Sequence, residues 1–552
     1  MDISLESLFE KGKKYLIGKS KNIKLAIENY DLYFNKLNEC YESLQKISKE
    51  NYISQLIKLS KTFLLIPYYY KSKIICEKIL EFDKNNIEII PSYIKCLQHF
   101  REYSKITEIL NNIKSENDKI KELKTKNEER IKESKGEYNF KNIYLKFKND
   151  KKYDLELAEF NNDKISIQED KNKGLIIVAN EEIPKGELII ASKAIVYVPK
   201  LNNNLEKIKC QNEEHHFLLL NKIREKMVYT REDNPEIYEL YDQENTNLSL
   251  EERRKNYIKN LSNKDIDIPD KTLRGIFTNT FQTKLYLYDE FPLAFGLFYY
   301  PSFMSHSCVP NVEILGIGDF MFIFTDRKIN KNEELTIYYV ENDEEFIKRQ
   351  EKLKKQYGFE CQCELCQIEK NKYKEMPDIK NKISKYINEL IETSGQMFDY
   401  SVFNRKKKEV LNFMKKNNNK INNYEKGLLY FNLYFLNYGD YLKNYEFVKK
   451  ALECYENEKD LVFNIMKYYC LLKMYKISYV FFNERCDEIR KKMLKLIQEA
   501  FGNKYNDFAE ILLNDILELY TSDDDNDIMM FNMQKHGDDG VFGNPNDNCK
   551  HY

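Results

Sequence analysis

Apolar and polar positions alternate with a helical period through residues 1–115. Between Leu56 and Leu80 the apolar side chains recur every three or four positions, which is the spacing of one buried helical face. A shift of about 34 residues superimposes further small or apolar positions, as expected for repeated helical hairpins. The superimposed pairs are Ser60 with Ile94, Phe63 with Leu97, Ser72 with Ile106, Cys76 with Leu110 and Ile79 with Ile113. The pattern predicts a helical repeat domain over residues 1–115, although an unrelated helical bundle gives similar spacing.

Residues 116–160 are mostly charged and are predicted to be a linker. Acidic and basic side chains alternate up to about residue 135, with sparse apolar positions at Ile120, Leu123 and Ile131. We expect a solvated helix there rather than a nucleic-acid-binding patch, because the opposite charges cancel locally. Residues 138–153 show no clear period and are interpreted as a connector.

The pattern changes to short strands at Ile165. Residues 165–167 alternate, residues 174–179 and 188–191 are short apolar runs, and Pro184 to Glu187 is a turn signal between those two runs. Short strands separated by Gly and Pro favour an antiparallel β domain over a βαβ fold. Residues 316–325 and 335–340 are expected to complete its strands. Charged, helical-looking sequence over residues 200–275 is predicted to be an insertion, which places the β domain at residues 161–345.

Helical periodicity returns over residues 376–520 and predicts a C-terminal helical domain. The last segment, residues 521–552, is acidic and poor in large apolar side chains, so a disordered tail is predicted. The fold class is therefore α+β and multidomain.

Charge and composition exclude several classes of protein. Lysine plus arginine number 88 and aspartate plus glutamate 89, so no net field favours nucleic acid or a membrane surface. The first residues show no secretory signal, and no apolar run approaches the ~18 residues of a membrane span. The twelve cysteines do not suggest a disulfide scaffold in a chain this long. We expect a protein of the cytoplasm, the nucleus or both.

Three cysteines lie close together in the sequence Cys361-Gln362-Cys363-Glu364-Leu365-Cys366. Their thiolates are one ligand short of a tetrahedral zinc shell. Ordinary reduced cysteines are the alternative interpretation. The spacing after an aromatic-Gly-aromatic segment, Tyr357-Gly358-Phe359, favours a metal site.

Three segments, in this order, resemble the end of a SET domain: residues 305–311 (SHSCVPN), 333–339 (EELTIYY) and 357–366 (YGFECQCELC). From Lys171 to Cys366 the chain resembles the SET and MYND branch of the SET-domain protein lysine methyltransferases, without its MYND finger. Residues 346–370 would then be a post-SET zinc segment. The helical pattern of residues 1–115 similarly resembles tetratricopeptide repeats.

The resemblance implies a set of site residues. Those matching contacts to the methyl donor S-adenosylmethionine are Lys173, Gly174, Leu175, Asn279, Ser302, Met304, Ser305, His306 and Phe359. Tyr339 and Tyr357 match the tyrosines that border the lysine channel. Cys308 matches the fourth ligand of a structural Zn²⁺, beside Cys361, Cys363 and Cys366. A closed four-thiolate shell would hold the C-terminal segment against the core.

Methyl transfer from a sulfonium to an amine depends on the alignment of donor, carbon and nitrogen, so positioning is the main task of the protein. We assign Tyr339 an orienting and electrostatic role and no general base, because a phenol with a pKa near ~10 is a poor base at neutral pH. The Tyr338 side chain is expected to point to the opposite face of the same strand and to pack there against other side chains. Three residues depart from the family: Ser305 replaces Asn, and Asn172 and Asn332 replace glycines, although Asn tolerates left-handed backbone.

The sequence therefore predicts a protein lysine N-methyltransferase that acts on histone or non-histone lysines, with S-adenosylmethionine and structural zinc. Its helical regions would select the protein substrate or bind protein partners. The alternative is a decayed SET fold that serves as a scaffold for protein–protein contacts, a reading that Asn172 and Ser305 favour. A nucleic-acid-binding module has no basic patch to support it, and no membrane contact is predicted.

Overall fold

A computed structural model describes most of the chain as two compact units, Met1–Tyr338 and Tyr339–Tyr552. The described residues are 4–17, 22–43, 45–84, 86–113, 118–150, 152–199, 208–240, 248–261, 270–277, 279–283, 294–340, 346–394, 400–435, 441–457, 464–481 and 483–522. The predicted acidic tail, apart from residues 521 and 522, lies outside these ranges.

The first unit carries helices on both sides of its strands along the chain. Its helices are α1 Leu5–Leu16, α2 Ile23–Asn38, α3 Lys49–Leu65, α4 Tyr69–Phe82, α5 Ile90–His99, α6 Tyr103–Asn112, α7 Asp118–Glu133, α8 Phe140–Asp150, α9 Ile208–Tyr229, α10 Leu250–Leu261 and α11 Asp270–Phe277. Its strands are β1 Phe160–Asn161, β2 Ile165–Asp170, β3 Gly174–Ala179, β4 Leu188–Lys193, β5 Val196–Pro199, β6 Thr280–Thr283, β7 Ala294–Leu297, β8 Ser305–His306, β9 Val312–Ile317, β10 Phe320–Thr325 and β11 Thr336–Ile337.

Helices α1 to α6 share one hydrophobic core. Five pairs of positions were superimposed by the shift of 34 residues, and in four of them, from Ser60 and Ile94 to Cys76 and Leu110, both residues are buried. In the fifth pair Ile79 is buried and Ile113 is partly exposed. Aromatic rings fill the centre, where Tyr30 lies 5.2 Å from Phe9 and 6.0 Å from Phe63 between ring centroids. The tetratricopeptide assignment of these hairpins stays a prediction.

The predicted linker contains two packed helices, α7 and α8, and α8 lies within residues 138–153, which were interpreted as a connector without a clear period. The Asn139 side chain caps α8 by accepting a hydrogen bond from the Asn142 amide at 3.1 Å. Phe140, Ile143 and Tyr144 are buried on one face of this helix. Their spacing of one and three residues is helical, but the run is too short for periodicity alone to reveal it.

Four small sheets form the β region. The largest has the order β1-β4-β10-β9, the second is β5-β7-β6, and β2 pairs with β3, all antiparallel. The remaining pair, β8 with β11, is parallel, which differs from the purely antiparallel domain that was predicted.

Two predicted strands differ from the structure. Residues 316–325 are not one strand, because Gly318 turns the chain between β9 and β10 with φ of +56°, and a Cβ there would lie 2.7 Å from the Tyr153 carbonyl oxygen. The strand predicted at 335–340 is only β11, so Tyr338 and Tyr339 follow it. Tyr338 is 37% exposed and is not the packing residue that was expected.

The insertion is helical, as predicted, and also contains two 3₁₀ segments, Arg231–Asp233 and Pro235–Glu239. Asp233 caps α4 from a distance in sequence: its carboxylate oxygens accept the Tyr69 amide at 2.8 Å and the Tyr70 amide at 2.5 Å. The residue at the N-cap position, Tyr68, makes no side-chain cap and instead donates to Glu232 at 2.8 Å. The insertion is thereby joined to the N-terminal helices.

The regular elements in the described parts of the second unit are helices joined by short turns. Its helices are α12 Phe346–Tyr357, α13 Glu364–Glu375, α14 Pro377–Ser394, α15 Tyr400–Lys416, α16 Asn423–Phe435, α17 Tyr441–Glu456, α18 Asn464–Phe481, α19 Cys486–Phe501 and α20 Asn506–Ser522. Buried ion pairs join α12 to α13 through Arg349 and Glu369, and α14 to α16 through Lys380 and Glu425 at 2.5 Å. Across the described residues of both units, helices long and apolar enough to cross a membrane are absent.

Candidate functional site

Three of the segments singled out in the sequence lie side by side in the first unit. The stretch from Glu333 to Ile337 runs beside β3, where the Ala179 amide donates to the Glu333 carbonyl and the Leu335 amide to the Ile177 carbonyl, each at 2.9 Å. On its other side, the Ser307 amide donates to the Ile337 carbonyl at 2.9 Å. The Gly-Leu strand, the Glu-Glu-Leu-Thr stretch and the His-Ser-Cys strand therefore form one layer.

The Asn311 side chain holds this layer together by hydrogen bonds, a role that the sequence did not reveal. Its side-chain amide donates to the Glu334 carbonyl at 2.8 Å and to the Glu333 carboxylate at 3.1 Å, and its carbonyl oxygen accepts the Thr336 amide at 2.8 Å. The side chain is 2% exposed. Because a buried amide that satisfies both its donors and its acceptor is expensive to disrupt, Asn311 fixes the register of the neighbouring stretch.

The turn before β3 places Lys173, Gly174 and Leu175. Asp170 accepts the amides of Asn172 at 2.8 Å and Lys173 at 2.9 Å, and these backbone hydrogen bonds lower the pKa of Asp170. Gly174 has a φ of +80°, whereas Asn172 is not left-handed, so its replacement of a glycine causes no backbone strain. Asn332 does adopt the left-handed backbone, with φ of +64°, as its replacement of a glycine predicted.

Asn279 and Ser302, two predicted donor-contact residues, contact each other. The Ser302 hydroxyl donates to the Asn279 carbonyl at 3.2 Å and to the Phe298 carbonyl. The Asn279 side chain is buried and donates to the last carbonyls of α11, at Ile276 (3.0 Å) and Gly275 (3.3 Å). Ser302 lies in a 3₁₀ turn, Tyr300–Phe303, that leads directly into Met304 and β8. Asn279 therefore also has a structural function, which the sequence did not suggest.

The next predicted donor-contact residues follow that turn. Met304 is 1% exposed, and His306 is also buried, with its Nε2 atom 3.3 Å from the Cys308 sulfur. Ser305 pairs with Thr336 in the parallel β8–β11 ladder and is partly exposed. A serine at this position is thus accommodated by the backbone ladder.

Three aromatic residues come together in the second unit. The rings of Tyr339 and Tyr357 are 4.9 Å apart, and those of Tyr339 and Phe359 are 6.4 Å apart and nearly perpendicular. Tyr357 is the last residue of α12, and Gly358, with φ of +79°, turns the chain after it. Desolvation raises the pKa of Tyr357, so its hydroxyl stays protonated at neutral pH. The two predicted channel tyrosines and Phe359 are therefore neighbours.

Three of the predicted metal-ligating cysteines come together in the second unit. The sulfur atoms of Cys361, Cys363 and Cys366 lie within 4.8 Å of one another. A tetrahedral Zn²⁺ with Zn–S bonds of about 2.3 Å places its sulfurs about 3.8 Å apart. These three thiol donors match the softness that zinc sites require.

Gln350 holds Cys361 and Cys366 of the second unit, and nothing in the sequence pointed to it. Its carbonyl oxygen accepts the Cys361 amide at 2.9 Å, and its amide donates to the Cys361 carbonyl and to the Cys366 sulfur, each at 3.1 Å. The neighbouring Arg349 is buried in its ion pair with Glu369. Two adjacent residues of α12 thus hold the cysteine segment and the helix that follows it.

Comparison with known proteins identifies the β region. The SET domain family profile matches residues 174–340. A putative SET domain-containing protein of Acanthamoeba polyphaga mimivirus, L678, is 45% identical over 62 residues, which is 11% of this chain and 24% of that protein. Histone-lysine N-methyltransferase ASHR1 of Arabidopsis thaliana is 37% identical over 75 residues, 14% of this chain and 16% of that protein.

A mouse relative, histone-lysine N-methyltransferase SMYD3, is 38% identical over 74 residues, 13% of this chain and 17% of its own length. These matches span no more than a quarter of the curated relatives' lengths. Among solved structures, the SET domain of LSMT bound to lysine and AdoHcy aligns with 65% of this chain and 92% of its own, at 12% identity and a TM-score of 0.24. Residues 174–340 are a SET domain whose relatives include histone-lysine methyltransferases of the SET and MYND type.

Proposed function

We propose that this chain is an S-adenosylmethionine-dependent protein lysine N-methyltransferase with a structural zinc site. The observation that carries the proposal is that the SET-domain residues 174–340 include the layer of β3, residues 333–337 and β8. The tyrosine pair of the second unit adds support, because an aromatic-walled site for an uncharged amine needs such rings.

S-adenosylmethionine would supply an activated methyl group on a sulfonium. Gly174 and Leu175 on β3, Asn279 with Ser302, and the backbone of Met304 to His306 would bind the donor, and the Phe359 ring would pack on its adenine. These residues hold the reactant in place, and positioning accounts for most of the acceleration of a bimolecular displacement.

The protein must also present a neutral lysine amine. An unperturbed lysine, with a pKa near ~10.4, is almost entirely protonated at neutral pH. A channel bordered by Tyr339 and Tyr357 would disfavour the ammonium form by desolvation, and a nearby positive charge would lower its pKa further. The Tyr339 hydroxyl would orient the amine and the methyl group, the latter by weak C–H···O contacts.

Zinc would be bound by Cys308, Cys361, Cys363 and Cys366. Four thiolates complete a tetrahedral shell and leave no open position for water, so the ion has a structural role. The substrate would be a protein that presents a lysine on a histone tail or elsewhere. The helices before and after the SET domain would select that protein, as helical arrays provide concave binding surfaces.

Calorimetric titration of the zinc-loaded protein with S-adenosylmethionine tests the donor site without knowledge of the substrate. We expect saturable binding that Asn279→Ala weakens by about tenfold, the loss of about one hydrogen bond. Asn432→Ala is the matched control, because Asn432 is also buried and its amide also donates to the carbonyl four residues earlier, at 2.8 Å, but in α16. Folded protein that does not bind the donor would contradict the proposed activity.

Radiolabel transfer from the donor to lysine-containing proteins tests the chemical step. Tyr339→Phe is expected to lower the turnover rate by about tenfold or more, because it removes a preorganised group at the reacting centre. Its adjacent tyrosine provides the control: Tyr338→Phe should leave the rate within twofold. Equal rates for the two variants would refute the role of Tyr339 while leaving donor binding intact.

A further inference from the structure

Glu239, at the end of the insertion segment Pro235–Glu239, is buried and bound on both carboxylate oxygens. One oxygen accepts the Arg254 guanidinium at 2.6 Å, and the other accepts the Tyr299 hydroxyl. The Glu239 main-chain carbonyl also accepts from Arg253 at 2.7 Å. A buried carboxylate with all these partners is a strong, directional acceptor rather than a solvated surface charge.

Tyr299 lies immediately before the predicted donor-contact residues. It is 6% exposed, and desolvation together with the Glu239 carboxylate raises the pKa of Tyr299, which keeps its hydroxyl a donor. Its carbonyl accepts the Ser302 amide at 3.2 Å, and its ring packs edge-on against Phe303 with centroids 5.0 Å apart. The backbone carbonyl and the ring of Tyr299 thus both contact the 3₁₀ turn Tyr300–Phe303.

The contacts continue from that turn to Asn279, another predicted donor-contact residue. Ser302 donates to the Asn279 carbonyl at 3.2 Å, and Met304 follows the turn, with its amide donating to the Pro301 carbonyl at 3.1 Å. Hydrogen bonds, linked by the covalent bonds of Tyr299 and Ser302, thus run from Glu239 to Asn279, and the Ser302 hydroxyl is shared between the Asn279 and Phe298 carbonyls. All four residues belong to the first unit.

We propose that Glu239 is a positioning residue for methyl-donor binding, which acts by holding Tyr299 and, through it, the turn that carries Ser302 and Met304. This inference rests on the proposed function, because it assigns the insertion a task at the same donor site. A turn that is held in the bound geometry before the donor arrives loses less conformational entropy on binding, and affinity rises accordingly. The insertion is then part of the donor site although its residues need not touch the donor.

The test compares donor affinity and thermal stability in variants of the full, zinc-loaded chain. Tyr299→Phe removes only the hydroxyl, and Glu239→Leu removes the acceptor at similar volume; each should raise the donor dissociation constant about three- to tenfold. Glu239→Gln keeps an acceptor for the Tyr299 hydroxyl and should restore most of the affinity. The double variant Glu239→Leu/Tyr299→Phe should be no weaker than either single variant, as expected for residues that act through one contact.

Tyr238→Phe is the matched control, because Tyr238 precedes Glu239 and the variant removes a hydroxyl that donates to the Met227 carbonyl. It should lower the melting temperature as much as Tyr299→Phe and leave donor affinity unchanged. If Tyr299→Phe lowers the melting temperature but not the affinity, the role of Glu239 is structural only and the inference is overturned. If wild-type protein does not bind the donor, the proposed function fails instead, so the two failures are distinguishable.

Discussion

The cap that Asp233 provides to α4 can be tested by Asp233→Ala. Loss of an N-cap side chain costs about 0.5–2 kcal/mol, and leaving a buried amide unsatisfied costs about 1–3 kcal/mol. Here two first-turn amides, those of Tyr69 and Tyr70, lose their acceptor. Tyr70 is 40% exposed, so water can replace the acceptor there, and Tyr69 carries most of the loss.

One effect reduces the expected destabilisation. Burial raises the pKa of Asp233 to about 7, so the folded protein already bears a cost for the charged carboxylate that alanine removes. We therefore expect a net loss of about 2 kcal/mol at neutral pH, toward the upper end of measured cap deletions. Asp233→Asn, which keeps one uncharged acceptor, should lose about half as much.

Hydrogen exchange is the appropriate assay, because a chain with two units need not unfold in one step and local opening reports the helix itself. Amides of α4 should exchange about 30-fold faster in Asp233→Ala, the equivalent of about 2 kcal/mol. Ser48→Ala is the control, since Ser48 caps the neighbouring α3 locally, through the Asn51 amide at 3.2 Å; it should affect α3 by about 0.5–1 kcal/mol and leave α4 unchanged. Protection of α4 within threefold of wild type in Asp233→Ala would refute the cap.

Three further predictions concern pH, zinc and packing. Burial lowers the pKa of His99 to about 3. As the pH falls below about 6.5, the unfolded chain therefore binds a proton at His99 that the folded chain does not bind. The free energy of unfolding then decreases by up to about 1.4 kcal/mol per pH unit. Asp233 has a raised pKa, so it binds a proton in the folded state between about pH 4 and 7 and opposes that loss. In urea unfolding, the stability of Asp233→Asn should therefore decline more steeply below pH 6.5 than that of wild type. Parallel stability curves for the two proteins would contradict this. Gln350→Leu should weaken zinc about tenfold or more in chelator competition, whereas Gln350→Glu, which retains one acceptor, should weaken it less; equal affinities would show that Gln350 does not position the cysteines. Gly427→Ala would place a Cβ 2.3 Å from the buried Tyr455 ring and should cost about 1–3 kcal/mol in denaturant unfolding, and no change would mean that the ring can move aside.

The sequence predicted those parts of the protein that depend on local spacing. Cysteines two and three positions apart can bind one ion whatever surrounds them, and the sulfur atoms of Cys361, Cys363 and Cys366 do lie close together. The helical period over α3 to α6 and the Gly and Pro residues around β3 and β4 are also local signals. The helices and strands that they predicted are present. The left-handed backbone of Asn332 could also be predicted, because few residues other than glycine tolerate a φ of +64°.

Contacts between distant parts of the chain could not be predicted in this way. Asp233 meets α4 across 163 residues, and Glu239 meets Tyr299 across 60, without any motif at either end. Gln350 is one polar residue among many on α12. The hairpin at Gly318 was missed although Gly318-Asp319 interrupts the apolar run between the two strands and is a turn signal. The positive φ of Gly318 and the close approach of the Tyr153 carbonyl both favour glycine there, and the second of these cannot be read from the sequence.

The distant cap of α4 has a consequence for biosynthesis. The ribosome completes Tyr70 163 residues before it reaches Asp233, an interval of roughly 8–30 seconds at about 5–20 residues per second. During that time the nascent N-terminal helices have left the exit tunnel without the carboxylate that finishes α4 and without the segment that Tyr68 and His99 bind. The hydrogen bonds that complete these helices therefore form only after the insertion has been translated.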